Sequence, residues 1–239
     1  MYKRQDIDDK ELVAREALNY VENNTIVGLG TGSTANYFIE GLAKKIKKEK
    51  LNIEVVASST ISGINATNAG LHCVSLDQIE SIDLYVDGAD EINYGSGIGI
   101  QVLKGRGYDL IREKLLARSS KKCVIIGDDS KMVDKIGSNF PIPVEVSPIA
   151  WKITKTLIAQ FAAECNLRNN TAGDGFAITS YGNLVLDCRF KDKKDIHDLS
   201  AWLSNIPGVL EHGIFLDTVH TIIIAGNGDL THIDVSAMI

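Results

Sequence analysis

Residues 25–42, TIVGLGTGSTANYFIEGL, restrict the possible folds of this chain more than any other segment. A short β-branched run enters three glycines and leaves as a helical pattern from about Ser33 to Lys48, with a lysine-rich tail suited to solvent. NIEVVASS, HCVSL, IDLYVD and CVIIG read as further strands, with helical stretches near 61–69 and 108–119 between some of them. Before the first strand, residues 11–22 place Leu12, Val13, Ala17, Leu18 and Val21 on one helical face. Strands alternating with helices call for an α/β fold, a mostly parallel sheet covered by helices on both faces.

From about residue 138 the rhythm changes. IPVEV reads as a strand, 149–165 as a helix, FAITS and NLVLDCRF as two strands joined through Tyr181-Gly182-Asn183, 195–204 as a helix, and VLEHGIF as a last strand. That order is the split βαβ of a ferredoxin-like α+β module. TIIIAG comes after this module and is expected to return to the first sheet. The expected division is a Rossmann-like catalytic domain, 1–136 plus 216–239, with an inserted ferredoxin-like domain, 137–215, serving oligomerisation. Trp151 and Trp202 fall on the module's two helices, where packing is the expected role.

With 31 acidic against 25 basic residues, the chain lacks the cationic surface of a nucleic-acid binder, so an anionic ligand must meet a local basic pocket. Cys73, Cys123, Cys165 and Cys188 form no close pair in sequence and read as buried thiols of a reducing compartment. The polar start MYKRQDIDDKEL resembles no signal peptide and no apolar run is long enough to span a membrane, so a cytoplasmic protein is expected. His72, His197, His212, His220 and His232 show no ligand spacing, and no metal site is expected.

GLGTGST, between strand and helix, places free backbone N–H groups and a helix dipole where an anion is favoured. A dinucleotide fingerprint needs glycine at Ser33 and an acid closing the second strand, which ends Ala57-Ser58-Ser59; a Walker loop needs Gly-Lys-Ser/Thr. A monophosphate cradle remains, with the Thr31, Ser33 and Thr34 hydroxyls as added donors, beside the plainer reading of a glycine turn capped by Ser33. A second loop, LYVDGADEI, crowds Asp87, Asp90 and Glu91 at a strand's carboxyl end, where open α/β sheets bind ligands. A third, LKGRGYDLIREKLLA, brings Lys104 and Glu113. Each could be a solvated turn or charge run. Their co-occurrence after strands favours a catalytic crevice holding a base, a cation and a phosphate cradle.

GLGTGSTA, VDGADEI, KGRG with REK nine residues after its lysine, the SK at 130–131, PVEV and the late IPGV and HGIF resemble, in that order, the type A ribose-5-phosphate isomerase family across nearly the whole chain. The resemblance implies reversible conversion of ribose 5-phosphate to ribulose 5-phosphate through an enediolate, without metal or organic cofactor, by a homo-oligomer, dimer or tetramer. It implies Glu113 as base, Lys104 as the cation facing the developing oxyanion, and Asp87 and Asp90 as sugar-positioning and proton-moving groups, their mutual repulsion favouring a proton on one of them. It further implies substrate binding by Thr31, Gly32, Ser33, Thr34, Gly88, Ala89, Gly105, Arg106, Gly107 and Lys131. Where the family commonly has KGGGGA, this chain has Lys104-Gly105-Arg106-Gly107-Tyr108-Asp109. Arg106 is strained by about 1 kcal/mol or more if the backbone there needs a positive φ; either its φ is ordinary, or it points outward or adds charge near the ligand. Two other classes stay open on sequence: a non-catalytic sugar-phosphate sensor, and CoA transfer or another phosphosugar isomerisation on a related fold.

Overall fold

A computed structural model describes residues 8–95, 97–190 and 195–234. In chain order the first elements are α1 (Asp9–Ala17), β1 (Thr25–Leu29), α2 (Ser33–Glu49), β2 (Ile53–Ala57), α3 (Thr60–Asn68) and β3 (Ile82–Asp87). Then come β4 (Glu91–Gly95), β5 (Gly99–Leu103), α4 (Leu110–Ser119), β6 (Ser120–Asp128), β7 (Ile142–Val146), α5 (Trp151–Ala159) and β8 (Ala162–Leu167). The last are β9 (Leu184–Phe190), α6 (Ile196–Ser204), β10 (Val209–His212), β11 (Ile214–Leu216), β12 (Thr221–Gly226) and β13 (Asp229–Asp234).

The main sheet has the order β13-β12-β6-β3-β1-β2, parallel except for β13. From β1 the chain goes out to β2 on one side and returns to β3 on the other, so a topological switch point opens at the carboxyl ends of β1 and β3. On one face Val13 and Ala17 of α1 and Phe38, Ile39 and Leu42 of α2 pack against Val27, Leu29 and Val86. The other face differs from the expected second helical layer. Leu116 and Ala117 of α4 share it with Ile92, Val102 and Phe215 from a three-stranded antiparallel sheet, β11-β5-β4.

The four-stranded sheet β10-β7-β9-β8 is antiparallel, with Ile158, Leu199 and Leu203 of its two helices in its core. Numbered within the module this is strand order 4-1-3-2, the split βαβ arrangement. TIIIAG, as β12, joins the main sheet beside β6. Three strand expectations are corrected. The module's second strand is Ala162–Leu167, overlapping the end of the stretch 149–165 expected to be helical, whereas FAITS makes only the bridge Ile178–Leu184 and, through Phe176, one to Asn169. VLEHGIF is cut at Gly213 into β10 and β11, which belong to different sheets. HCVSL forms only the bridge Val55–Cys73. Cys73 is exposed, while Cys123, Cys165 and Cys188 are buried, and all are free thiols. No helix among the described residues is long and apolar enough to cross a membrane.

Candidate active site

The switch point gathers the three glycine-containing loops around one cleft. Lys104 follows β5 and is 4 % exposed, yet lines that cleft. Its Nζ lies 2.6 Å from Asp87 Oδ2 and 3.5 Å from Glu113 Oε1, and donates to the Gly88 carbonyl at 2.9 Å. Burial works against its charge, but Asp87, Glu113 and Asp90 outweigh it, and the ammonium is held well above the ordinary lysine range.

Glu113 sits in the first turn of α4, 3 % exposed and open to the same cleft. Its Oε2 is buried without a hydrogen-bond partner. Burial pushes its carboxyl up to about 8; Lys104 pulls against that, while Asp87, Asp90 and Asp109 add to it. A carboxylate with one oxygen beside a cation and the other unbonded is equipped to take a proton. Its neighbours do not form an exposed charge run. Lys114 is buried and turns away to Glu211 Oε1, 2.5 Å, and the His212 carbonyl, 2.7 Å, and Arg112 Nε donates to Tyr181 Oη at 3.0 Å.

Asp87 ends β3, is fully buried and does not line the cleft. Oδ1 accepts from the backbone of Thr31 (3.0 Å) and Gly88 (2.7 Å), and Oδ2 accepts from Tyr85 Oη as well as Lys104. A Cβ at Gly30 would overlap this carboxylate, so the close approach itself requires glycine there. Asp90 does line the cleft and accepts from the Arg106 N–H at 3.3 Å. Burial leads an upward shift of Asp90 that favours a proton there, opposed by Lys104, Arg106 and Lys131. Glu91, the third acid of the motif, turns away and accepts from the backbone of Gly137 (2.5 Å), Asn139 (2.6 Å) and Phe140 (2.7 Å).

Gly32 is the N-cap of α2, at φ 120° and with no side-chain cap, so the plain turn capped by Ser33 is not what forms. The uncapped helix start, with Ser33 and Thr34, faces the cleft. Thr31 lines the cleft as well, with its hydroxyl engaged by the end of β2 and the head of α3, donating to Ser59 Oγ at 2.7 Å and sharing a hydrogen bond with Ser58 Oγ at 2.9 Å. Lys131, Gly88, Ala89, Gly105, Arg106 and Gly107 all line the cleft. Arg106 has an ordinary φ and is exposed, its guanidinium 4.3 Å from the Phe140 ring centroid; the loop residues at positive φ are Gly105, at 101°, and Tyr108, at 72°.

Lys10 was not expected. It projects from α1 into the cleft, Nζ 3.3 Å from Ser33 Oγ. The one clue in the sequence is a cation among acids in a helix's first turn, where the dipole disfavours it. Among the described residues no group of three or more His, Cys, Asp or Glu is placed to hold a metal ion.

The family model for Ribose 5-phosphate isomerase A (phosphoriboisomerase A) matches residues 54–229. The Ribose-5-phosphate isomerase A of Prochlorococcus marinus subsp. pastoris is 41% identical over 217 residues, 90% of this chain and 92% of that protein. That of Thermococcus kodakarensis is 38% identical over 216 residues, 90% and 93% respectively. Among solved structures, ribose 5-phosphate isomerase A from Methanocaldococcus jannaschii superposes with a TM-score of 0.88 at 32% identity, covering 94% of this chain and 97% of that one. A D-ribose-5-phosphate isomerase in complex with phospho-erythronic acid gives 0.88 at 35% identity, with the same coverage.

Proposed function

The chain belongs to the ribose 5-phosphate isomerase A family and interconverts D-ribose 5-phosphate and D-ribulose 5-phosphate, and we propose the following roles for its cleft. Glu113 Oε2 takes the proton from C2 of the open-chain aldose and delivers it to C1. The electron pair left on C2 spreads onto O1 as an enediolate, and Lys104 stabilises that charge from a site closed to bulk water. Asp90, at the cleft wall, moves the proton between O2 and O1. Asp87 acts through Lys104 and the Thr31 backbone, positioning both without touching the sugar. The observation that carries the reading is the Lys104–Glu113 pair, 3.5 Å apart, with the second Glu113 oxygen unbonded.

The phosphate is held by the uncapped start of α2 at Gly32, Ser33 and Thr34, between Lys10 and Lys131. Phospho-erythronic acid, bound by the solved relative, joins a phosphate to a planar carboxylate and so matches this cleft at both ends. The chemistry asks for neither metal nor organic cofactor. The sheet memberships support the division into 1–136 plus 216–239 and 137–215 except at its last boundary, where β11 pairs with β5 and so moves the return to the first domain back to Ile214. Exposed Ile149, Ile153 and Leu210 support a homo-oligomer contact on the small module, and free thiols support a cytoplasmic setting.

The test is ribulose 5-phosphate formation by EDTA-treated protein, wild type beside Glu113→Gln. The variant is expected to lose about 10³-fold or more in kcat. Full activity in Glu113→Gln would remove Glu113 from the role of base.

A further inference from the structure

The loop that presents Lys104 is gripped from outside the main sheet. Lys104 N–H donates to the Gly213 carbonyl at 2.9 Å, between β10 and β11. Arg168, just past β8, donates through Nη1 to the Gly105 carbonyl at 2.8 Å, and its guanidinium lies 5.6 Å from the Tyr108 ring centroid. Asp187 of β9 fixes that guanidinium bidentately, Nε to Oδ2 at 3.0 Å and Nη2 to Oδ1 at 2.5 Å. All three donor groups of the arginine fork are thus committed, two to one carboxylate and one to the loop.

This loop needs an external hold. Gly105 has φ 101° and Tyr108 φ 72°, conformations that an unrestrained chain leaves readily. Only glycine fits at this turn, since a Cβ at Gly105 would stand 2.7 Å from Leu110 Cγ and 3.1 Å from Pro143 Cγ.

We propose that Arg168 is a positioning residue for the isomerisation: locked by Asp187, it holds the Gly105 carbonyl and the Tyr108 ring so that the loop presents Lys104 beside Glu113. This rests on the roles given above to Lys104 and Glu113. The small module then contributes to catalysis from within the same chain, whatever subunit contact it also makes. Arg168 does not line the cleft where the phosphate cradle lies, so its loss strikes the chemical step more than substrate capture.

The experiment measures kcat, KM, the pH profile and the melting temperature of Arg168→Met, Arg168→Lys and Asp187→Asn with ribose 5-phosphate. A loop displaced by about 1 Å predicts a kcat lower by roughly 10- to 100-fold in Arg168→Met with KM within about threefold, less loss in Asp187→Asn, and partial recovery in Arg168→Lys. Glu113 is faced by Lys104 from the loop after β5, Asp87 from the end of β3, Asp90 from the loop that follows it, and Asp109 from the head of α4. Drift of Lys104 therefore also moves the acidic limb of kcat/KM upward in pH. A kcat within about twofold of wild type with only the melting temperature lowered would overturn the proposal, as would an unmoved pH profile. Should Arg168→Met not fold, Asp187→Asn decides by the same criteria, because it keeps the arginine and frees it. Failure of the underlying reading shows elsewhere, as full activity in Glu113→Gln.

Discussion

Two glutamates flank the cleft wall, Glu91 at the start of β4 and Glu113 in the first turn of α4, and each is almost entirely withdrawn from water. Glu91 is met by three backbone N–H groups from 137–140, which divide both its oxygens among them. Glu113 is offered one cation at 3.5 Å and nothing on its other oxygen. Burial alone therefore says little about what a carboxylate is for. Full satisfaction makes Glu91 a tie between β4 and the loop that carries Phe140 beneath Arg106, while incomplete satisfaction leaves Glu113 able to accept a proton.

The largest effect that would break this contrast lies on the Glu113 side. Lys104→Met is expected to lower kcat by roughly 10²–10³-fold by removing the charge that faces the oxyanion. In the wild type kcat/KM should climb with pH and level off above about 8, where Glu113 has lost its proton; without Lys104, which pulls that value down, the limb should move higher still. A limb that stays in place would separate Glu113 from Lys104.

The Glu91 side predicts loss of stability without loss of chemistry. Glu91→Gln places an amide where backbone donors require an acceptor, at a cost of about 1–3 kcal/mol in denaturant unfolding, with kcat of the folded variant kept. A kcat deficit as large as that of Lys104→Met would mean that the two glutamates are not distinct in role.

The smallest effect is read in stability against pH. Glu113 holds its proton in the folded state up to about 8, above the ordinary 4.5 of a glutamate, so between these values the native chain binds more protons than the unfolded one. Its stabilising contribution is complete below the unfolded pKa and is lost as pH rises through the folded one. Glu113→Gln should thus gain on the wild type across that window in thermal unfolding. Parallel curves would place the Glu113 pKa near its ordinary value.

Much of the frame was readable because it obeys short-range rules. The β-branched run into GLGTGST, the apolar stripe of α2 and the continuous TIIIAG each reflect one element's own burial. The β4–β5 hairpin was missed because it opens on charged Glu91 and turns through glycines, its burial supplied by α4 and β11 from far along the chain. Ala162–Cys165 lack β-branched residues and continue the helical stretch in sequence, and they are strand because β9 pairs with them. In the site, the loops and their acids stood out, but which acids face inward did not. Asp87, Asp90 and Glu91 lie within five residues, and partners as distant as Thr31, Lys104 and Phe140 decide the duty of each.

The place of β12 in the main sheet has a consequence in time. Every side chain proposed to touch the sugar phosphate lies at or before Lys131, yet β6, the strand that leads to Lys131, gains its second parallel neighbour only when residues 221–226 arrive. Until then Val124, Ile125 and Ile126 lie on an unpaired edge, a template for wrong pairing in a growing chain. The four-stranded module is contiguous in sequence and can close first, whereas joining β12 to β6 means closing a loop around the whole of it, which makes the non-local step the slow one. The cleft therefore comes into being late in folding, at the arrival of a strand that contributes no atom to it.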